Sequence, residues 1–277
     1  MRIASCCRVA LAAFVALLAA GPLAAAAQPI EVLWLGHATF RLTSPSGKVI
    51  VIDPFLKRNP KSPPQYRDLG ALGKVDLILV THGHPDHISD LPELAKLTGA
   101  TVLANYELAN NLVALGHLDA NRTIPFNKGG VIAPIGAGIK VHMVHAEHSS
   151  SLDLTALDPA TKGARYAEGG AAAGYVIEFE NGYRIYHTGD TDVFGDMALI
   201  GRQFKPDLVL VCIGGHFTMG PEGAAIALRD LLKVKQAVPM HYATFPATNR
   251  TPAELKAALG NAPVRVIEMK PGEPMRF

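Results

Sequence analysis

Apolar residues recur along the chain in short runs that predict alternating strands and helices. Apolar alternation or continuity predicts strands over 31–35, 40–43, 49–53, 75–81, 101–104, 139–144, 207–213, 237–240 and 264–268. The dipeptide Asn181-Gly182 predicts a hairpin over 175–186. Helical spacing predicts helices over 91–97, 106–115, 197–202, 221–234 and 252–259. This alternation in both halves favours two packed sheets with helices outside, within one domain.

One segment interrupts the pattern. Residues 149–174 are rich in Ser, Ala and Gly and have no usable periodicity. A structureless stretch of this length inside a domain is usually functional or mobile. We expect it to border a functional site, with Arg165, Tyr166 and Glu168 as candidate lid residues. A flexible surface insertion is the alternative that the sequence leaves open.

The first 27 residues have the pattern of a secretory signal. Arg2 and Arg8 precede an apolar run of about a dozen residues, and three alanines precede Gln28. The run is too short for a membrane span, which needs about 20 residues. We therefore expect residues 1–27 to be removed and residues 28–277 to form one domain, periplasmic or secreted, without a membrane anchor.

Removal of that signal changes the charge and the cysteine content. The chain carries 26 Lys and Arg against 24 Asp and Glu, so the loss of Arg2 and Arg8 leaves 24 of each and no formal net charge. A neutral surface gives no support for a nucleic-acid or anionic-membrane partner. Only Cys212 remains of three cysteines, so no intramolecular disulfide can form. Because Cys212 lies in an apolar strand, we do not expect it to be a ligand.

The chain has 11 histidines, and three of them stand with a carboxylate in the segment 82–87, which reads His-Gly-His-Pro-Asp-His. This segment follows a buried strand and precedes a helix. The glycine and the proline favour a fixed turn in which His82 and His84 converge on one ion, while Asp86 and His87 face a neighbouring position. Because neutral imidazole is a common metal ligand, the segment predicts a metal site.

Further ligands are expected beyond this segment, because one loop cannot surround two ions. Three candidates directly follow apolar strands: His148, Asp190 and His241. His145 precedes His148 by three residues, and the spacing alone allows either of them to be the third histidine.

The order and surroundings of these residues resemble the metallo-β-lactamase superfamily. The segment 82–87 is highly specific for that superfamily, and the resemblance spans nearly all of residues 28–277. Among its branches, the chain is most similar to metal-dependent hydrolases close to the ascorbate-6-phosphate lactonases. The stretches that carry this similarity are Gly36-His37, Ile52-Asp53-Pro54, His148-Ser149-Ser150, 187–191, 214–221 and 239–242.

The resemblance implies an α/β fold, an αββα sandwich of two mixed β-sheets with helices on the outer faces. It also implies two divalent metal ions at one edge, expected to be zinc, although manganese, iron and nickel suit the same ligands. The implied ligands are His82, His84 and His148 for the first ion, Asp86, His87 and His241 for the second, and Asp190 as a bridge. Asp53 would support the metal loop from outside. His148 is preferred over His145 because Ser149-Ser150 follows it.

The implied function is a metal-dependent hydrolase that uses a metal-bound hydroxide on a small lactone, ester, amide or phosphoester. Asp86 would orient the nucleophile and carry a proton, and His216 would donate to the developing oxyanion. Two alternatives stay open: an exported metal-binding or partner-binding protein without turnover, and a metallo-β-lactamase.

The remaining histidines divide into two groups. His37, His187 and His216 lie in motifs near the predicted edge, so contact with the site or substrate and a plain packing role stay equally open. His117 and His142 are expected on the surface or within strands, without a catalytic role.

Overall fold

Two seven-stranded mixed β-sheets form the framework of the protein. They are seen in a computed structural model that describes residues 28–277 apart from residues 137, 159 and 164. The predicted signal, residues 1–27, lies outside the described residues.

The first sheet is antiparallel on one side and parallel on the other. Its strands, in order across the sheet, are β16 (Pro274–Arg276), β1 (Glu31–Trp34), β2 (Phe40–Thr43), β3 (Val49–Ile52), β4 (Leu77–Leu79), β5 (Thr101–Asn105) and β6 (Thr123–Phe126). The strands from β16 to β3 pair antiparallel, and those from β3 to β6 pair parallel. The loops after β1, β3 and β4 therefore open at the same edge of the sheet.

The second sheet repeats this mixture. Its strands, in order, are β15 (Arg265–Val266), β14 (Gln236–Met240), β13 (Leu208–Cys212), β12 (Arg184–His187), β11 (Ala173–Glu178), β8 (Lys140–His145) and β7 (Val131–Ile132). The strands from β12 to β15 pair parallel, and the others pair antiparallel. The hairpin predicted at Asn181-Gly182 is confirmed, since β11 and β12 pair across it. The loops after β8, β12, β13 and β14 share one edge.

Short helices connect the strands. They are α1 (Pro85–Ile88), α2 (Leu91–Thr98), α3 (Tyr106–Ala114), α4 (Leu154–Leu157), α5 (Met197–Phe204), α6 (Pro221–Ile226) and α7 (Pro252–Leu259). The predicted helix over 221–234 is α6 followed by a π-helical segment, Ala227–Leu232. Short 3₁₀ turns occupy Pro64–Arg67, Leu69–Leu72, Ala120–Arg122 and Pro246–Thr248. Within the described part of the chain, none of the helices is long and apolar enough for a membrane crossing.

Apolar side chains divide the protein into four layers. The largest buried cluster joins the inner faces of the two sheets, for example Phe40 and Ile50 with Leu210, and extends to Leu228 and Leu255 on the helices over the second sheet. A second cluster joins the outer face of the first sheet to α2 and α3. The arrangement of helix, sheet, sheet and helix confirms the predicted αββα sandwich.

The expectation that residues 149–174 lack regular structure is wrong. This segment contains a small antiparallel hairpin of β9 (Ser151–Asp153) and β10 (Tyr166–Glu168), with α4 between the two strands. Strands of three residues are too short to produce a readable apolar alternation. Pairing in this hairpin is reinforced by tertiary contact, because Gly83 lies against the backbone of Ser151.

Three of the four strands at the sheet edges, β6, β7 and β16, were not predicted from the sequence, whereas β15 was. β6 lies at one edge of the first sheet, contains Pro125 and is only partly buried, which is typical of an edge strand. The predicted strand over 75–81 is shorter in the structure, where β4 covers only Leu77–Leu79, because the residues that follow form the turn of the metal motif.

A pair of glycine substitutions tests how tightly the loop before Asp190 is packed. Gly189 has φ +64°, and an added Cβ would lie 2.5 Å from the carbonyl oxygen of Ala173. Gly182 has a similar φ of +82° but open space around it. Both Gly→Ala variants are expected to lose about 1–2 kcal/mol from the left-handed backbone, and Gly189→Ala about 1–3 kcal/mol more from overpacking. Urea unfolding measures the difference, and equal losses would contradict this packing.

Candidate metal centre

Side chains from six strand ends meet at one edge of the sandwich. His82 follows β4, His148 follows β8, Asp190 follows β12 and His241 follows β14. His37 and Asp53 follow β1 and β3 and also reach this edge. His37, Asp53 and His241 all have positive φ, a strained conformation that side chains other than glycine seldom adopt outside functional sites.

The potential ligand atoms fall into three overlapping groups. Within each group the atoms lie within 4.8 Å of one another. The groups are His82, His84 and His148; His82, His87 and Asp190; and His37, Asp86, His87 and His241. All seven residues predicted as metal ligands are therefore in one cluster. His37, which was not among the predicted ligands, also belongs to this cluster.

The first group consists of three imidazoles that face one another. The Nδ1 atom of His84 lies 3.0 Å from Nε2 of His82 and 3.3 Å from Nε2 of His148. Burial lowers the pKa of each of these histidines, most strongly that of His82, and the neighbouring histidines lower it further. The group is therefore held in the neutral form, which is the form that binds a metal ion.

Asp53 fixes the orientation of His87, in keeping with the support of the metal loop that the resemblance implies. Its Oδ2 accepts a hydrogen bond of 2.8 Å from Nδ1 of His87, and it also accepts hydrogen bonds from the backbone N–H and hydroxyl of Thr81. Because Nδ1 of His87 donates to Asp53, Nε2 is the ring nitrogen left for the cluster; it lies 3.3 Å from Oδ2 of Asp190 and would supply the lone pair that binds a metal ion. A carboxylate behind a histidine is a common way to orient a metal ligand.

Several buried polar atoms in the cluster lack a hydrogen-bond partner. They are Nε2 of His87, Oδ1 of Asp190 and both ring nitrogens of His241; Nε2 of His241 lies 2.9 Å from Oδ2 of Asp190, but the two groups are not aligned for a hydrogen bond. Buried polar atoms are nearly always paired, because an unpaired one loses its hydration without compensation. Cations at this position would coordinate these atoms, so the residues present fit a divalent metal ion.

The charges of the cluster also favour a bound cation. Burial lowers the pKa of His241, but Asp190 and Asp86 outweigh it and raise this pKa to about 9. Burial likewise lowers the pKa of His87, and Asp190, Asp53 and Asp86 together raise it well above its usual value. The carboxylates thus create a strong preference for positive charge between the histidines, which bound cations would satisfy.

His37 positions Asp86. Burial and the nearby His241 lower the pKa of His37 to about 4, so its ring is neutral near pH 7. Since a carboxylate only accepts, Nε2 of His37 donates to Oδ2 of Asp86 at 2.9 Å, and Nδ1 accepts from the hydroxyl of Thr244 at 3.0 Å. The carboxylate of Asp86 therefore fixes the tautomer of His37, and the hydroxyl of Thr244 holds the ring in the orientation that contacts Asp86.

Replacement of Thr244 by valine tests this chain of hydrogen bonds. Loss of the hydroxyl leaves Nδ1 of His37 without its donor, so we expect metal affinity and kcat/KM each to fall about 10–100-fold, as for other residues behind a metal ligand. Thr244→Ser keeps the hydroxyl and should restore both. A titration of metal into each variant, with a metal-binding dye as competitor, measures the affinity. If Thr244→Val and Thr244→Ser have the same metal affinity and kcat/KM, the hydroxyl has no part in the site and Thr244 has only a packing role.

His187 has a packing role in this structure. Its Nε2 donates to the carbonyl oxygen of Ala38 at 2.9 Å, and its Nδ1 accepts from the backbone N–H of Gly189 at 3.1 Å. Both ring nitrogens are used, and the bond to Gly189 holds the loop that carries Asp190.

The structure separates His145 from the cluster and brings His148 into it. His145 is 42% exposed and pairs with Glu147 and Lys128. Its position at the end of β8 directs it to the surface, whereas His148 lies three residues further along the loop, beside His84.

His216, predicted as an oxyanion donor, is exposed and packs its ring against Phe217. Gly215 and His216 both have positive φ, so the loop after β13 turns sharply at this point. Phe217, rather than His216, lines the cavity beside the cluster. Among the described residues, no hydrogen bond connects His216 to the cluster, and its role as an oxyanion donor stays a prediction.

A cavity of about 550 Å³ opens beside Asp86 and His241. The segment 149–174 contributes to its wall, as expected, through Asp153, Thr155, Ala156 and Arg165. Of the other two candidate lid residues, Tyr166 is exposed and Glu168 is bound through its carbonyl oxygen by Asn111. A smaller cavity of about 310 Å³ adjoins His84, His148 and Asp190.

The four-layer sandwich and the His/Asp cluster at its edge define the class as the metallo-β-lactamase fold. A family model described as the β-lactamase superfamily domain matches residues 48–242. A solved metallo-hydrolase from the archaeon Ignicoccus hospitalis is similar with a TM-score of 0.77 and 32% identity, covering 90% of this chain and 98% of that one.

Curated relatives are similar over nearly the whole described domain. A UPF0173 metal-dependent hydrolase of Cupriavidus taiwanensis is 54% identical and covers 91% of this chain and 88% of its own length. One from Rubrobacter xylanophilus is 45% identical, with 88% and 95% covered. The chain therefore belongs to the β-lactamase superfamily and is a metal-dependent hydrolase. Of the alternatives above, a binding protein without turnover is not supported.

Proposed function

We propose that the protein is an exported hydrolase that uses two divalent ions, zinc in the first place, to cleave a small lactone, ester, amide or phosphoester. The assigned ligands are His82, His84 and His148 for one ion, Asp86, His87 and His241 for the other, and Asp190 between them.

The observation that carries this proposal is the set of buried, unpaired ligand atoms on His87, Asp190 and His241. Closed structural zinc sites surround one ion with four Cys or His ligands. Here the ligand groups overlap at His82 and His87 and include carboxylates. An extended cluster of this kind suits two ions better than one, and the cavity beside it leaves room for a substrate.

When bound, two divalent ions supply an activated water near neutral pH and a Lewis acid for the oxygen under attack. The chain itself supplies the proton handling. Asp86 lines the cavity, and its pKa stays well below the usual value because His87, His37 and His241 outweigh the effect of burial. As an ionised carboxylate held by His37, Asp86 is placed to take the proton of the attacking water and pass it to the leaving group.

Turnover of a substrate panel with and without chelator tests this function. The panel contains simple lactones, aryl esters, aryl phosphodiesters and a chromogenic β-lactam, each tested on metal-loaded residues 28–277. We expect hydrolysis of at least one class, its loss with chelator and its return with added zinc. Flat rates across the panel despite full metal loading would contradict the proposal.

Export is proposed from the sequence of residues 1–27 alone. We expect the mature chain to begin at Gln28 when the full chain is produced in a Gram-negative host. Intact-mass measurement of the periplasmic fraction checks this, and an uncleaved chain found only in the cytoplasm would contradict it.

A further inference from the structure

The cavity beside the cluster has two chemically different walls. Asp86 and His241 stand at the cluster side, aromatic rings form one wall, and two arginines, Arg58 and Arg165, contribute cationic groups. A cavity lined in this way favours a ligand with both an apolar part and an acidic part.

Arg58 is an uncommitted cation. Its side chain is exposed at the cavity, and within the described residues its guanidinium makes neither a hydrogen bond nor an ion pair. The neighbouring Lys57, by contrast, pairs with Glu93 at 2.6 Å. A guanidinium binds carboxylate or phosphate oxygens through parallel hydrogen bonds, so Arg58 is free to bind an anion that enters the cavity.

Arg165 is a cation that is already held in place. Its Nε and Nη2 donate to the carboxylate of Asp153, at 3.2 Å and 2.7 Å to Oδ2. Asp153 stays ionised, since the hydrogen bond from Arg165 lowers its pKa to about 2. Because Nη1 is not used in this pair, Arg165 offers a fixed donor, while Arg58 offers a cation that is not offset by a paired carboxylate.

The aromatic wall is formed by Phe55, Phe217 and Phe245. Phe217 is 60% exposed and Phe245 38% exposed, unusual values for phenylalanines beside a polar cluster. The rings of Phe55 and Phe245 lie 6.3 Å apart, and both contact His37 edge-on. Phe55 and Phe245 are therefore anchored against His37, and the exposed rings of Phe245 and Phe217 are open to an apolar group of the ligand.

We propose that the substrate carries an aromatic or other apolar group on one side of the scissile bond and a carboxylate or phosphate on the other. This proposal rests on the proposed function, since it concerns the same site. The apolar group packs against Phe217 and Phe245, and the anion binds Arg58 and Arg165. These two contacts place the bond between them next to Asp86 and His241.

Three matched esters test the proposal. They are the mono-4-nitrophenyl ester of glutaric acid, its analogue with a terminal phosphonate, and neutral 4-nitrophenyl pentanoate. Water adds across the ester bond and gives the free acid and 4-nitrophenol, which is followed by absorbance. The two acidic esters separate a carboxylate-binding site from a phosphate-binding one. Arg58→Gln is the test variant, and Arg202→Gln is its control, because Arg202 is an exposed arginine that lines a different cavity.

We expect at least one acidic ester to have a KM about tenfold or more below that of the neutral ester, as a charge-assisted contact requires. Arg58→Gln should raise that KM by a similar factor, with kcat and the neutral ester unchanged, and Arg202→Gln should match the wild type. The proposal is overturned if acidic and neutral esters have the same KM, or if Arg58→Gln affects both equally.

A binding measurement on metal-free protein separates this proposal from the proposed function. The corresponding 4-nitroanilides of glutaric and pentanoic acid are titrated into chelator-treated protein by calorimetry. We expect the acidic anilide to bind about tenfold tighter, and Arg58→Gln to abolish the difference. If no ester is hydrolysed but this difference is present, the proposed function fails and the anion site stands. If the difference is absent, the anion site fails.

Discussion

Replacement of Asp190 by alanine is expected to remove metal and hydrolysis together. Asp190 is buried, and its Oδ2 lies 2.9 Å from Nε2 of His241 in the second ligand set and 3.9 Å from Nε2 of His148 in the first, while its Oδ1 has no partner. Its carboxylate therefore connects the two groups of ligands. Its loss leaves His87 and His241 close together without the negative charge that would offset a bound cation.

We expect metal content to fall by at least one ion per chain and kcat/KM to fall by more than about a hundredfold, beyond the range for residues behind a ligand. Asp192→Ala is the matched control, because Asp192 is an exposed carboxylate two residues further along the same loop. Elemental analysis and initial rates on both variants give the answer. If Asp190→Ala keeps full metal and full activity, Asp190 is not a ligand.

Replacement of His84 by alanine should be as damaging, whereas replacement of His145 should not. Nδ1 of His84 faces both His82 and His148, so its loss removes one of three donors for the first ion. His145 is at the surface, paired with Glu147. We expect a loss of activity of more than about a hundredfold for His84→Ala, and activity within about twofold of the wild type for His145→Ala.

Measurements of metal content and activity also decide whether His145 or His148 is the third ligand of the first ion. His148→Ala should reproduce the loss seen with His84→Ala, since the two rings face each other. Should His145→Ala lose metal while His148→Ala keeps it, the assignment would have to be reversed. Circular dichroism of each variant confirms that the fold is intact, so a loss of metal is not a loss of structure.

The metal motif at 82–87 and the ligands outside it were predictable from the sequence, because each of them follows an apolar strand. A ligand directly after an apolar strand must lie at a sheet edge, and parallel strands bring such ends together. Asp190 and His241 could be found in this way. Asp53 was found by resemblance, and its contact with His87 agrees with the support that the resemblance implies.

The role of His37 could not be derived in this way. Its contact with Asp86 joins residues 49 positions apart, and it depends on the positive φ of His37 and on the hydroxyl of Thr244. The sequence signal was the Gly36-His37 pair after a strand, which indicates a site near the edge but not a partner.

The cavity walls were equally hidden in the sequence. No sequence signal pointed to Phe217 or Phe245 as cavity residues, and the prediction made for the loop after β13 concerned His216 instead. The hairpin that carries Arg165 had no periodicity, because its strands are three residues long and its pairing depends on tertiary contact.

The number of metal ions that the cluster binds decides whether the protein has the proposed two-ion site. Residues 28–277 would be stripped with chelator, reconstituted with zinc and crystallised, with zinc counted by elemental analysis and located by anomalous diffraction. We expect two ions per chain, one beside His82, His84 and His148 and one beside Asp86, His87 and His241. A reconstituted chain that holds no ion in this cluster, or only one, would contradict it.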